Sequence, residues 1–423
     1  MTVGRLTQAE REILARIDTE WVADLTSSLV RAGGDFETGP EQATVMVLAS
    51  ALRGIGAEVV LDEVRPERPN LIARIGSRKW GDGVVFLGHS DVVAAGEGWT
   101  VEPFEPRRHG DEVFGRGTTD MKGGLAAVVA AMAAVHQHDP LLPMTLVCTV
   151  DEEADAIGAQ HYLQTATPEQ YAACVVAEPT SMVTITACRG ATNLRIEVTG
   201  ASAHAGKPDE GASAVLAAAD VIAAVEADGD GLATNPHPVL GHATWSIGTI
   251  AGGHGTSIVP DRCTLTIDRR TLPHEDAHQI LARLLDDARE RHRAAARPGA
   301  ERIHFDGHVE MVMPGFETAV DSPLVLAAQE AVRAMGRPGD TGVWTAACEG
   351  GFLAQHHAVP TVVLGPGDLQ HQAHQPDERV SLRELHDAAG AFALIAMRAA
   401  VRRDETPHRP ATWVAPDTPR SNA

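Results

Sequence analysis

Basic residues are scarce in this 423-residue chain: 35 Lys and Arg stand against 57 Asp and Glu, a formal charge of −22. A field of that sign repels nucleic acid and anionic membrane surfaces, so neither is expected as a partner. Cysteine is scarce as well. The five, Cys148, Cys174, Cys188, Cys263 and Cys348, are scattered without a CxxC pair, which argues against a thiolate zinc site or a disulfide framework and fits a reducing cytoplasm. Long hydrophobic runs are missing too, since the longest, Leu125 to Val135, is too short to span a bilayer. The opening MTVGRLTQAEREIL is polar and helical in pattern, with neither the charged cap nor the apolar core of an export signal.

What is present is an ordinary globular composition, 44% hydrophobic and 22% charged, in a chain longer than single cores usually grow. One large or two unequal domains are expected. Helical periodicity runs from Thr7 to Arg31 and from Pro40 to Gly54, followed by β-rich segments at Ala57 to Glu63, Leu71 to Ile75 and Val84 to Gly88. An Ala-rich helix from Gly124 to Gln137 precedes strands at Met144 to Val150 and Ala173 to Ala177, and Thr361 to Leu364 is a late apolar strand. This alternation predicts an α/β fold with a mostly parallel sheet covered on both faces.

Between Ala191 and Val312 the order becomes strand, helix, strand, strand, helix, strand, the split βαβ pattern of a small inserted domain. The strands are predicted at Thr192 to Thr199, Ala243 to Ile250, Cys263 to Arg269 and Ile303 to Val312, and the helices at Ala212 to Glu226 and Asp276 to Ala296. The domains are therefore expected as 1–190 with 313–423, interrupted by 191–312. The tail after Arg403 is Pro-rich and expected to be mobile.

Ligands of open α/β sheets bind beyond the carboxyl ends of the strands, and that is where the imidazoles and carboxylates fall. GVVFLG runs into His89-Ser-Asp91, MTLVCTV into Asp151-Glu152-Glu153, ACVVA into Glu178, and TVVLGPG into a loop with His371 and His374, while Asp120 sits in the Gly-rich turn GRGTTDMKGG. Imidazoles and carboxylates without thiolates suit a pair of first-row divalent ions sharing a bridging carboxylate, which would polarise a carbonyl and generate hydroxide. One carboxylate has to stay off the metals, as a general base carrying a proton to a leaving amine. Each piece alone has a plainer reading: Asp120 as a helix cap worth about 1 kcal/mol, Glu178 as a turn residue, Glu152 and Glu153 as a solvated loop. Their joint placement at strand ends favours the chemical one.

Six segments in order, GHSDVV from Gly88, GRGTTDMKGG from Gly115, DEE from Asp151, AEPT from Ala177, GASAHAGKP from Gly200 and GPGDLQHQAHQPDE from Gly365, resemble the dinuclear zinc aminoacylase and peptidase family of acetylornithine deacetylase, succinyl-diaminopimelate desuccinylase and glutamate carboxypeptidase. The resemblance spans nearly the whole chain. It implies a three-layer α/β/α zinc-peptidase-like catalytic domain with an inserted ferredoxin-like α+β lid, and a homodimer formed through that lid. It further implies that His89, Asp120, Glu153, Glu178 and His374 ligate two divalent ions, with Asp120 bridging and the following peptide bond cis. The ions would be zinc, with cobalt or manganese as alternatives.

By the same resemblance Asp91 orients His89, Glu152 is the general base, and His204 reaches a partner's active site to stabilise the oxyanion. Arg270 and the Gly367 amide would hold a substrate carboxylate, with Asp268 supporting the arginine. Glu349 would either face substrate or serve the structure; His371 has no motif match and is left out. Ser257-Ile-Val-Pro260 stands where many relatives carry Asn before Val-Val-Pro, and Ala212-Ser213-Ala214 where Asn-Ala is usual. The implied activity is cleavage of an N-acyl amino acid by a metal-bound hydroxide in the cytoplasm. The alternatives are a glutamate carboxypeptidase or dipeptidase, and, from another class, an inactive metal-containing small-molecule binder.

Overall fold

The computed structural model describes residues 6–35, 41–77, 83–167 and 171–399. The Pro-rich tail lies outside the described residues. The larger sheet runs Glu58–Arg65, Arg68–Ile75, Met144–Thr149, Val84–His89, Ala173–Val176, Thr361–Val363, Thr184–Cys188 and Phe316–Glu317, and Thr341–Trp344 also pairs with Thr184–Cys188. Its centre is parallel, as the apolar strands predict: Val84–His89 pairs in parallel with both Met144–Thr149 and Ala173–Val176, and Thr361–Val363 with the latter.

The sheet is nevertheless mixed, which corrects the expectation of a mostly parallel one. Arg65 pairs with Arg68 across the two-residue turn Pro66-Glu67, a connection that permits only antiparallel strands. Arg68–Ile75 then joins Met144–Thr149 antiparallel, and Phe316–Glu317 closes the far flank in the same sense.

Both faces of the sheet are covered, and the side chains show it by alternation. Val84 and Phe86 enter the cluster built with Leu125, Val128, Val325, Leu385 and Phe392, whereas Val85 and Leu87 enter another with Tyr162, Cys174 and Leu353. The Ala-rich helix is Gly123–His138, almost wholly buried. It lies so close that a Cβ on Gly124 would collide with the Ala177 carbonyl oxygen, so glycine is required there. The predicted first helix is two, Gln8–Leu14 and Thr19–Arg31, because the Asp18 carboxylate caps the second by accepting from the Glu20 and Trp21 amides. All five cysteines are free and buried.

The second sheet has the order Thr244–Gly252, Arg262–Thr271, Gly190–Thr199, His304–Met313, antiparallel throughout, which is the split βαβ arrangement. Helices Ala214–Ala233 and Ala277–Ala294 cover one face, and their cluster with Leu194, Ile196, Leu265 and Phe305 is a core of its own. Among the described residues no helix is long and apolar enough to cross a membrane.

Candidate metal centre

Three central strands deliver side chains to one spot. His89 is the last residue of its strand, the Glu152-Glu153 turn follows Met144–Thr149, and Glu178 follows Ala173–Val176. The loops carrying Asp120 and His374 complete the group. Asp120 lies between the two imidazoles: His89 Nε2 is 3.2 Å from Oδ1, and His374 Nε2 is 3.2 Å from Oδ2. Glu178 Oε1 is 3.4 Å from His89 Nε2, and Glu153 Oε1 is 3.1 Å from His374 Nε2. One ligand atom each from His89, Asp120 and Glu153 falls within a 4.8 Å sphere of mutual distances. The Asp120–Met121 peptide bond is cis.

The donor chemistry fits divalent cations. Among the described residues no lysine or arginine pairs with Asp120, Glu153 or Glu178; their partners are the two imidazoles. His89 Nδ1 lies 3.0 Å from the Asp91 carbonyl oxygen, so in the neutral ring that nitrogen carries the proton and Nε2 is the one with a lone pair to give. Hydrogen bonds to Asp120 and Glu153 push His374 up to about 10. For His89 burial lowers the pKa, but hydrogen bonds to Asp120, Asp91 and Glu178 outweigh it and hold the imidazole well above its ordinary range. Desolvation and the Asp120 charge push Glu178 up to about 7, and the same two causes raise Glu153. The cluster thus holds protons where a cation would hold the same oxygens and nitrogens, and metal uptake has to release them.

Glu152 differs from its neighbours. Among the described residues its carboxylate makes no hydrogen bond or ion pair, and desolvation holds its pKa well above the usual carboxylate range, with Glu178 and Glu153 adding to the rise against His89. The carboxyl thus feels the charges of His89, Glu178 and Glu153 while bonded to none of them. Asp91 positions it. The Asp91 carboxylate stands 3.6 Å from His89 Nδ1 but accepts from the amides of Glu152 at 3.1 Å and Glu153 at 3.0 Å, which ties the acidic turn to the His89 loop.

Other expected residues lie apart from the cluster. His204 is exposed, on the strand-helix loop of the inserted unit, and its Nδ1 accepts from the Gly206 amide at 3.0 Å. That bond assigns the neutral ring's proton to Nε2, leaving that nitrogen as a hydrogen-bond donor. Arg270 pairs with Asp268 at 3.0 Å. The Gly367 amide donates to Glu384 at 2.9 Å, so in this arrangement it is taken, and the positive φ of 93° is what requires glycine. His371 pairs with Asp368 at the surface.

Glu349, for which a substrate-facing position was one expectation, is buried, and its carboxylate accepts from the Thr149 hydroxyl. Burial pushes it up to about 8 from an ordinary 4.5. A carboxyl whose folded pKa exceeds its unfolded value loses stability as pH rises between the two, at about 1.4 kcal/mol per unit. In metal-free protein, Glu349→Gln is therefore expected to stabilise the fold at neutral pH, by an amount approaching about 3 kcal/mol at pH 7 and shrinking toward zero below pH 5. Urea denaturation across that range measures it, and a difference independent of pH would show that Glu349 is not the titrating group.

Sequence reasoning missed Glu378 and Arg116, which lie beneath the Asp120 loop as a buried pair 2.6 Å apart. A carboxylate that accepts backbone amides leaves no spacing signature.

Peptidase family M20/M25/M40 matches residues 85–398. Acetylornithine deacetylase of Vibrio cholerae is 31% identical over 362 residues, covering 84% of this chain and 90% of its own length. The enzyme of the same name from Aliivibrio fischeri is 31% identical over 357 residues, with the same coverages. Among solved structures, aminopeptidase PepT from Bacillus cereus superposes with a TM-score of 0.71 at 22% identity, over 91% of this chain and 100% of that one. The dipeptidase Dug1p from Saccharomyces cerevisiae gives 0.72 at 12% identity, over 96% and 100%. The structural likenesses speak for the fold, and the match along the sequence speaks for the family. The chain belongs to peptidase family M20/M25/M40 and is a metal-dependent amidohydrolase.

Proposed function

We propose that the chain removes the acyl group from an N-acyl amino acid bearing a free carboxylate, using two divalent ions of the zinc type, cobalt and manganese being the substitutes. His89 and Glu178 would hold one ion, His374 and Glu153 the other, and Asp120 both. The observation that carries this reading is the single Asp120 carboxylate with each oxygen turned to a different imidazole. When bound, such ions polarise the amide carbonyl and lower the pKa of water.

The chain's own residues do the rest. Glu152 takes the proton from the attacking water and hands it to the leaving amine, a transfer worth about 10²–10⁴-fold in rate. His204 of a second copy donates from Nε2 to the developing oxyanion, which makes the working unit a homodimer joined through the inserted lid, residues 191–312, on a catalytic unit of 1–190 and 313–423. Arg270, steadied by Asp268, takes the substrate carboxylate with a guanidinium fork. The deacetylase names of the relatives favour deacylation over peptidolysis, and the buried free thiols suit the cytoplasm.

A panel of N-acyl amino acids and of α- and γ-linked dipeptides, assayed for released amine with and without chelator, tests this. N-acyl amino acids are expected to turn over fastest; turnover confined to dipeptides with a free amino group would overturn deacylation in favour of a dipeptidase. On the best substrate, Arg270→Ala is expected to raise KM about 10–100-fold, through loss of its charge-assisted contact with the carboxylate, with kcat within a few-fold. The same substitution should leave an ester-capped substrate unaffected, and an unchanged KM for the free acid would remove Arg270 from the site.

A further inference from the structure

We infer that Glu378 is a positioning residue that holds the Asp120 and His374 loops at the separation a shared metal pair needs. The inference rests on the metal-centre reading above. Glu378 is almost completely buried, and its two oxygens take four donors. Oε1 accepts from the amides of Thr119 at 2.8 Å and Asp120 at 3.0 Å, while Oε2 accepts from the Gly117 amide at 3.0 Å and from Arg116 Nη1 at 2.6 Å. Three of these donors are backbone amides within residues 117–120, the stretch that ends in Asp120. The residue supplying the acceptor follows His374 by four positions.

The two loops are stitched on either side of that carboxylate as well. The Gly115 amide donates to the Glu378 carbonyl at 2.9 Å, and the Thr119 hydroxyl to the Arg379 carbonyl at 2.6 Å. Arg116 reaches back to the Ala95 carbonyl at 3.1 Å and lies over the Trp99 ring. A carboxylate is the right group for this post. It is an acceptor at both oxygens, whereas a carboxamide would turn an NH₂ toward donors already pointing at it. The Asp120 backbone is thereby fixed, and with it the placement of its two oxygens between His89 and His374. Partners that orient ligands in this way typically contribute 10–100-fold to metal affinity.

The test is zinc binding by equilibrium dialysis, paired with the visible spectrum of the cobalt-loaded chain, for wild type, Glu378→Gln and Arg116→Lys. Glu378→Gln is expected to weaken the less tightly held ion about 10–100-fold and to alter the cobalt bands. Arg116→Lys, which leaves the three amide bonds in place, is expected to lower the melting temperature while changing metal affinity less than about 3-fold. Glu378→Asp serves if the glutamine variant does not fold: it keeps the charge, withdraws by one methylene, and should weaken the same ion. Wild-type affinity for both ions in a folded Glu378 variant would overturn the inference alone, reducing Glu378 to a structural partner of Arg116. A wild-type chain that binds no divalent ion would overturn the metal-centre reading and this inference with it.

Discussion

Glu152→Gln is expected to lower kcat for amide hydrolysis by about 10²–10⁴-fold while both metals stay bound and KM moves by no more than a few-fold. The separation of effects follows from where the carboxylate sits. Glu153, its neighbour, is 3.1 Å from His374 Nε2, but among the described residues the Glu152 carboxylate bonds to none of the cluster, so its loss removes no bond from the ligand set. Its backbone stays in place because the Glu152 amide, not the side chain, is what Asp91 holds. Desolvation also holds its proton affinity above that of an ordinary glutamate, which suits a group that must accept a proton and then release it to an amine. Metal content by elemental analysis and steady-state kinetics together decide the matter. A glutamine variant that keeps wild-type kcat would exclude Glu152 as the base, and one that loses metal would make it a ligand.

Asp120→Ala is expected to have the larger effect, with loss of at least one ion per chain and a fall in kcat/KM of more than about 10³-fold. Both oxygens of Asp120 are committed, one toward each imidazole, so truncation takes a ligand from both ions at once. The remaining carboxylates do not substitute, since Glu178 faces His89 and Glu153 faces His374. Asp120→Asn, which keeps one carbonyl oxygen, should fall between alanine and wild type in metal content. If Asp120→Ala retained two tightly bound ions, the bridging role would be wrong whatever happened to the rate.

The site was legible in the sequence where its chemistry coincides with strand ends. Apolar runs such as VVFLG and MTLVCT stop at His89 and at the acidic turn, and residues 25 to 285 positions apart in the chain converge because parallel strands deposit their ends together. The order of strands and helices in the second sheet's unit was legible for a similar reason, although its first helix runs Ala214–Ala233, well past the Glu226 at which its end was expected. The antiparallel flank was not anticipated because Pro66-Glu67 is an undistinguished dipeptide whose turn geometry emerges only on pairing. Asp91 shows the limit more sharply. Its position beside His89 suggested that it orients the ring, and its carboxylate does stand 3.6 Å from Nδ1, but it also accepts from two backbone amides 61 and 62 residues away, a role the sequence does not announce. Glu378 holds the Asp120 loop by the same kind of bond, and backbone donors carry no residue identity to read.

The most direct measurement is a zinc titration of chelator-stripped protein, following amine release from the best N-acyl amino acid against zinc bound per chain. Activity that is absent without metal and saturates as the second equivalent binds is the expected result. Activity that survives complete removal of divalent ions, or a chain that binds none at this site, would contradict it.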